Sequence, residues 1–235
     1  MRETTVTDLL ANYGHFTSMQ VRDLRVRGLS LHWERLRSAT QELYGVPLPD
    51  DLPARVLAAL GARRDATVRI TVVGVEPTLV VSLRDPNPGR GARRLLSVDY
   101  VRPVPHIKHV GTFAQTHFGN VAVQAGFDDA LLVAPDGLVT ETTIANVGFF
   151  DGSDVVWPSA PQLHGTTMQL LESLVPSRRQ EVRLADVGSF SGAFVTNSAG
   201  VSPVTAINGH EFAVDEHQVK ALVDAYESVP WDSIG

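Results

Sequence analysis

The sequence predicts an α+β fold, and three observations predict it. Apolar residues recur every second position in some stretches and every third or fourth in others. Both kinds of stretch occur in each half of the chain, without the strand–helix alternation that a doubly wound parallel sheet requires. Turn-forming pairs, Pro135-Asp136, Asp151-Gly152 and Asn208-Gly209, follow strand candidates as they do in hairpins.

Taken in order, residues 1–12 carry no periodic signal. Over residues 16–21, Phe16, Ser18 and Gln20 alternate with Thr17, Met19 and Val21, which reads as a strand. Arg22-Asp23 and Arg27-Gly28 then punctuate a short hairpin. From Leu31 the period changes: Leu36, Ala39, Leu43 and Tyr44 form the stripe of an amphipathic helix that ends at Gly45. Leu52, Val56, Leu57 and Leu60 form a second stripe, stopped by Gly61. Residues 67–73 and 78–83 are rich in β-branched side chains and turn at Glu76-Pro77, as adjacent antiparallel strands would. A Pro- and Gly-rich break covers residues 85–91, and a further strand is expected over residues 95–101. Pro103 and Pro105 bracket a connector, where the domain boundary is placed, giving domains of residues 1–104 and 105–235. The second half predicts a helix over residues 113–124 and strands over 130–133, 137–141, 147–150 and 155–157. A helix starting near Gly165, strands over 192–197 and 201–207 and a closing helix over 216–228 complete it.

Composition narrows the classes of function. With 43% hydrophobic and 20% charged residues, the 235-residue chain is that of an ordinary folded protein, neither disordered nor membrane-spanning. A net charge of −6 provides no cationic footprint for nucleic acid or an anionic membrane. The absence of cysteine excludes disulfides, thiolate nucleophiles and Cys-based zinc sites. The first residues lack the apolar core of a signal peptide, so a cytoplasmic location is expected.

The usual catalytic motifs are missing. No phosphate-cradling P-loop occurs, and Gly188-Ser189-Phe190-Ser191-Gly192 places Phe where a nucleophile elbow needs Ser. His106 and His109 lack a third ligand in metal-binding spacing. Lys108 stands in a mixed apolar and imidazole setting just past the connector, where a ligand cleft is commonly built. An amine there needs partial desolvation to act as a nucleophile or base.

Ile107-Lys108-His109, followed by Leu138-Val139-Thr140-Glu141 and Asn146-Val147-Gly148-Phe149, resembles the class IV aminotransferase family. These are fold-type IV pyridoxal-phosphate enzymes, among them branched-chain and D-amino-acid transaminases and 4-amino-4-deoxychorismate lyase. The resemblance extends over nearly the whole chain. It implies a small N-terminal α/β domain, a larger C-terminal domain, a cofactor, pyridoxal 5′-phosphate, at their interface, and a homodimer acting on small amino and keto acids. By position, Lys108 matches the lysine that forms the Schiff base with the cofactor, and Glu141 the carboxylate facing the pyridine nitrogen. That carboxylate keeps the ring protonated and electron-withdrawing. Ile144, Ala145 and Asn146 belong to the same cofactor-binding stretch. Arg35, in Leu31-His32-x-x-Arg35-Leu36, matches the arginine on the 5′-phosphate, to which its forked donors are suited. Thr166 and Thr167 match the family's helix start at the phosphate, and Asn197 and Ser198 the last loop of the phosphate cup. Phe16 and Thr17 are assigned to the substrate, with Thr17 or Ser18 as a hydroxyl near the reacting centre.

Several positions depart from the family pattern. Phe113 stands where branched-chain transaminases often have Tyr, and Gly111 or Thr112 replaces a common Asn. The strand from Arg69 to Gly74 turns straight back at Val75-Glu76-Pro77 instead of entering the longer loop that supplies groups for the substrate carboxylate. The first strands are shortened or absent. The sequence therefore predicts a class IV transaminase, with the deoxychorismate lyase reaction and a non-catalytic binding homologue as alternatives.

Overall fold

The structure, a computed structural model, describes residues 3–89 and 91–235; Met1 and Arg2 of the N-terminal stretch and Arg90 of the Pro/Gly-rich break lie outside them. By its internal contacts the chain divides into two units. The first takes in residues up to Pro88, with Ile107–Thr112 and Val229–Gly235; the second takes in Gly89–His106 and Phe113–Ser228. This division differs from a single cut near residue 104. Strand β5 (Arg93–Asp99) lies before that cut, yet it pairs in parallel with β6 (Asp129–Val133) and β12 (Gly200–Ile207) of the second unit. Residues 107–112 lie after it, yet Lys108 O accepts a 2.8 Å hydrogen bond from Phe16 N in the first unit.

In the first unit, β1 (Gly14–Val21), β3 (Ala66–Val73) and β4 (Thr78–Arg84) form an antiparallel sheet in the order β1-β3-β4. Its inner face, with Met19, Val21, Ala66, Val68 and Ile70, packs on Leu36 of α2 (Leu29–Tyr44) and Val56 and Leu60 of α3 (Leu52–Leu60). Both ends of α2 are set by glycines at positive φ, Gly28 at 66° and Gly45 at 67°, where a side chain would be strained. Two pieces gave no sequence signal. The five-residue helix α1 (Val6–Leu10), held by a Thr5/Asp8 capping box, is too short to show a period. β14 (Trp231–Ser233) pairs with β2 (Arg25–Arg27), a partner about two hundred residues away in sequence that local pattern cannot reveal.

The second unit is built on a nine-stranded mixed sheet among the described residues, with β7 (Val139–Thr142), β8 (Asn146–Asp151), β9 (Asp154–Pro158), β10 (Ser177–Gln180), β11 (Gly192–Asn197) and β13 (His210–Glu211) completing it. The path runs β10-β9-β8-β11-β12-β5-β6-β7, with β13 paired to β12. Its mixture of parallel and antiparallel pairs, with helices α4 (Phe113–Gln124), α5 (Thr166–Leu174) and α6 (Glu216–Glu227), is the α+β arrangement that the sequence predicts. Leu131, Val147, Phe149, Val195 and Ile207 lie in one buried cluster, and Trp157, Met168, Leu171 and Phe194 in another. Among the described residues no helix is long and apolar enough to cross a membrane.

Candidate active site

In the first unit, alternation along β1 sorts its side chains onto two faces. His15 and Thr17 face α2. There Thr17 Oγ1 and His32 Nδ1 share a 2.7 Å hydrogen bond, and His15 Nε2 lies 2.9 Å from Thr40 Oγ1. Thr40 gives its own hydroxyl proton to Leu36 O, so it accepts from His15, whose Nδ1 is buried without a partner. Burial lowers the pKa of His15 to about 4. Burial, and then the positive charges of Arg35 and Lys108, lower that of His32 to about 3. Both rings are therefore neutral at neutral pH, and His32 can sit close to two cations without adding a third.

Phe16 and Ser18 face the other way, as do Thr71 and Arg69, their partners on β3. Lys108 Nζ lies 5.0 Å and Arg69 Cζ 3.5 Å from the centroid of the Phe16 ring. Of the two candidate hydroxyls, Ser18 thus shares the face on which Phe16 meets Lys108, whereas Thr17 is turned into the helix-facing core. Arg35 follows His32 by one turn of α2 and is half-buried.

In the second unit, Glu141 on β7 is buried and paired with Arg102, whose terminal nitrogen lies 2.9 Å and 3.2 Å from the two carboxylate oxygens. The side chains are only 7% and 8% exposed. A carboxylate buried to this extent needs a counter-charge, and Arg102 supplies it. The same Arg102 nitrogen donates to Pro105 O at 3.1 Å, and its Nε is buried without a partner. Sequence reading missed Arg102, although an arginine between Val101 and Pro103 in an apolar, proline-bounded connector was a signal that it has a partner.

Beyond Glu141, Thr142 Oγ1 accepts from Ala145 N at 3.0 Å, forming a tight turn that exposes Ile144 and buries Ala145. Asn146 is buried and anchors the approach to α5: its Nδ2 donates to Gln162 Oε1 at 3.1 Å and to Leu163 O at 2.6 Å. A Cβ at residue 165 would run into Asn146 Oδ1, so any other residue at the start of α5 would force a shift there. No side chain caps this helix, and the backbone N–H groups of its first turn, which begins at Thr166, are available to an anion. Thr167 Oγ1 donates to Asn197 O at 2.7 Å, and Asn197 Oδ1 accepts from Ala199 N at 2.8 Å. These bonds fix the two-residue loop Ser198-Ala199 between β11 and β12. Thr196 lies opposite Asn146 across β8 and β11, and its buried Oγ1 has no partner. A small open cleft in this unit is lined by Arg93, Asp129, Ile144, Ala145, Asn197 and Ala199, among others.

The structure therefore brings Asn146, Thr166, Thr167, Asn197 and Ser198 into one connected region, with Ile144 and Ala145 at the cleft and Glu141 tied to Arg102. Lys108, Phe16 and Arg35 belong to the first unit. Among the described residues no cluster of three or more His, Asp or Glu side chains could hold a metal ion.

The first unit thus holds an amine close to cations, and the second a buried ion-paired carboxylate and an uncapped helix start. The model of the class IV amino-transferases matches residues 14–207, and the chain belongs to that family of enzymes. A Rickettsia felis protein named "Probable branched-chain-amino-acid aminotransferase" is 28% identical over 103 residues, a match spanning 40% of this chain and 36% of that protein. Among solved structures, a Legionella pneumophila protein provisionally named a 4-amino-4-deoxychorismate lyase superposes with a TM-score of 0.89 at 20% identity, covering 98% of this chain and 96% of that one. The branched-chain amino acid aminotransferase of Escherichia coli gives 0.84 at 15% identity, with 99% and 94% covered. A hypothetical aminotransferase from Mycobacterium tuberculosis, in a PLP-bound form, gives 0.82 at 20% identity, with 97% and 93% covered. At these identities the likeness is one of fold.

Proposed function

We propose that the chain is a pyridoxal-phosphate-dependent aminotransferase, acting as a homodimer, in which Lys108 carries the cofactor. The buried Arg102–Glu141 pair is the observation that carries this reading: an ion-paired carboxylate inside the second unit is what a pyridine nitrogen requires in order to stay protonated. The residues fit the group at its other end too, because the uncapped first turn of α5 and the unpartnered Thr196 Oγ1 are donors suited to a phosphate. Bound there, the cofactor supplies an electron-withdrawing ring that stabilises negative charge at the substrate α-carbon. Lys108 Nζ would hold the group and move a proton at the substrate α-carbon, Glu141 would face the ring nitrogen, and Arg35 would add a cation for the phosphate.

The elimination of pyruvate from aminodeoxychorismate stands as a second reading, favoured by Ser18, whose hydroxyl shares the sheet face of Phe16 and Lys108. Reconstitution with pyridoxal phosphate is expected to give a visible absorbance band that borohydride fixes to Lys108 and that Lys108→Ala abolishes. Donor-dependent bleaching of the band then identifies a transaminase, and pyruvate release from aminodeoxychorismate without an acceptor identifies the lyase. A protein that binds the cofactor and does neither is a non-catalytic homologue, and absence of the band sinks the cofactor reading itself.

A further inference from the structure

Two hydrogen bonds join β1 to α2 as a crossed set: His15 of the strand meets Thr40 of the helix at 2.9 Å, and Thr17 of the strand meets His32 of the helix at 2.7 Å. All four side chains are 2% exposed or less. They sit beside the apolar core that contains Met19 of β1 and Leu36 of α2. His32, Leu36 and Thr40 recur every fourth residue and so lie along one side of the helix. An apolar stripe repeats with each turn, and its contacts are non-directional, so a helix moved by one turn, about 5.4 Å, could still bury it. Hydrogen bonds do not allow that shift, because it would leave four buried polar side chains without partners. The same strand also carries the lysine segment. Phe16 N donates to Lys108 O at 2.8 Å and Val110 N to Gly14 O at 2.9 Å, and His15 stands opposite His109 across this pairing.

We propose that the crossed pairs set the register of α2 on β1, so that His15, Thr17, His32 and Thr40 are positioning residues that hold Arg35 of the helix at a fixed distance from Lys108. Arg35 follows His32 by one turn, and the positive charges of both Arg35 and Lys108 reach the His32 ring. A neutral imidazole suits that place, since it makes its hydrogen bond without adding a charge. Thr17 then acts through His32, from the helix-facing side of β1, and not on the substrate. What Arg35 is held for rests on the cofactor reading, but the register does not, and it can be measured on the protein alone.

Thr17→Val and Thr40→Val each keep the shape of the side chain and remove one hydroxyl. Each is expected to weaken pyridoxal phosphate binding, read from the visible band, about three- to ten-fold, the range for one lost hydrogen bond. Thr17→Ser and Thr40→Ser keep the hydroxyl and are expected to stay within about two-fold of the wild type. The double variant Thr17→Val, His32→Leu replaces a whole pair by apolar groups, so its melting temperature is expected to return towards that of the wild type while its affinity stays low. Wild-type affinity in the Val variants, equal losses in the Ser and Val variants, or recovery of affinity together with stability in the double variant would each overturn the proposal. The chain has only two lysines, Lys108 and Lys220, so isotope-labelled lysine reports on each amine separately in protein without cofactor. Thr40→Val, a change on α2, is expected to move the Lys108 signal and leave that of Lys220 in place, and an unmoved Lys108 signal would also count against the register. A Lys108 signal that responds to Thr40→Val in a protein that never forms the visible band would refute the cofactor reading and leave the register of α2 standing.

Discussion

The two units hold their charged groups by opposite means. In the second unit three site groups are tied to protein partners: Glu141 to Arg102, Asn146 to Gln162 and Leu163, and Thr167 to Asn197. In the first unit Arg69 and Lys108 lie at the Phe16 ring, Arg35 and Lys108 lie near the neutral His32, and the sheet strands contain no Asp or Glu. The second unit is thus preorganised by its own hydrogen bonds, whereas the Phe16 face of the first gathers positive charge. Substitutions in the second unit should accordingly cost stability, and those on the Phe16 face of the first should cost binding.

The largest effect is expected at Arg102. Arg102→Leu leaves Glu141 buried without its counter-charge, which should cost about 3–5 kcal/mol. The double variant Arg102→Leu, Glu141→Leu should recover most of that stability in urea titrations while failing to retain pyridoxal phosphate. A single variant as stable as the wild type would show that the pair is not what holds this strand and connector together.

The histidines of the first unit come next. His15 and His32, with folded pKa values of about 4 and 3 against an ordinary 6.5, take up protons in the unfolded chain before they do in the fold. Unfolding is therefore favoured as pH falls below 6.5, and the loss continues down to about 4 for His15 and about 3 for His32. Each should contribute a slope of about 1.4 kcal/mol per pH unit in that window. The groups that face them are Thr40, Tyr44 and His109 around His15, and Thr17, Arg35 and Lys108 around His32. His15→Gln and His32→Gln should each flatten the stability profile by that amount between pH 6.5 and about 5, and unchanged slopes would mean that the rings titrate normally.

How far this contrast could be read from the sequence differs between the units. The face of Thr17 was already written in the alternation of residues 16–21, which sets it with Met19 and Val21; the family resemblance assigned it to the substrate, and the period was the better guide. Lys108, Glu141 and the Thr166–Thr167 start stand out because their order along the chain matches a known family, and the helices ending at Gly45 and Gly61 because of their stripes. The setting of Arg102 hinted at a partner, but which one was not legible, since it lies 39 positions away. The division by contacts was not legible for the same reason, because the partners of β5 lie on β6 and β12 rather than beside it in sequence.

At Gly165 the expected cost is about 1–3 kcal/mol, the range for forcing a methyl into a filled space. Gly165→Ala drives a Cβ into Asn146 Oδ1, so either the start of α5 or the Asn146 side chain must move. Gly165→Ala combined with Asn146→Ala should relieve the clash, but it should not restore cofactor affinity if Asn146 is needed to aim the helix. Recovery of both stability and affinity would assign Asn146 a packing role alone.

Thr196 should show the smallest effect on stability and the clearest separation of stability from binding. Its hydroxyl is buried with no partner in the protein, so Thr196→Val removes an unsatisfied polar group and replaces it with a methyl of nearly the same size. Thermal melts without cofactor should shift by less than the equivalent of about 1 kcal/mol, in either direction. Pyridoxal phosphate affinity should nevertheless fall, because a hydroxyl left without a protein partner beside an uncapped helix start is poised for a ligand. If affinity is unchanged while the apo protein becomes more stable, Thr196 is an unpaid polar group of the sheet, and the phosphate is held by the first turn of α5 without it.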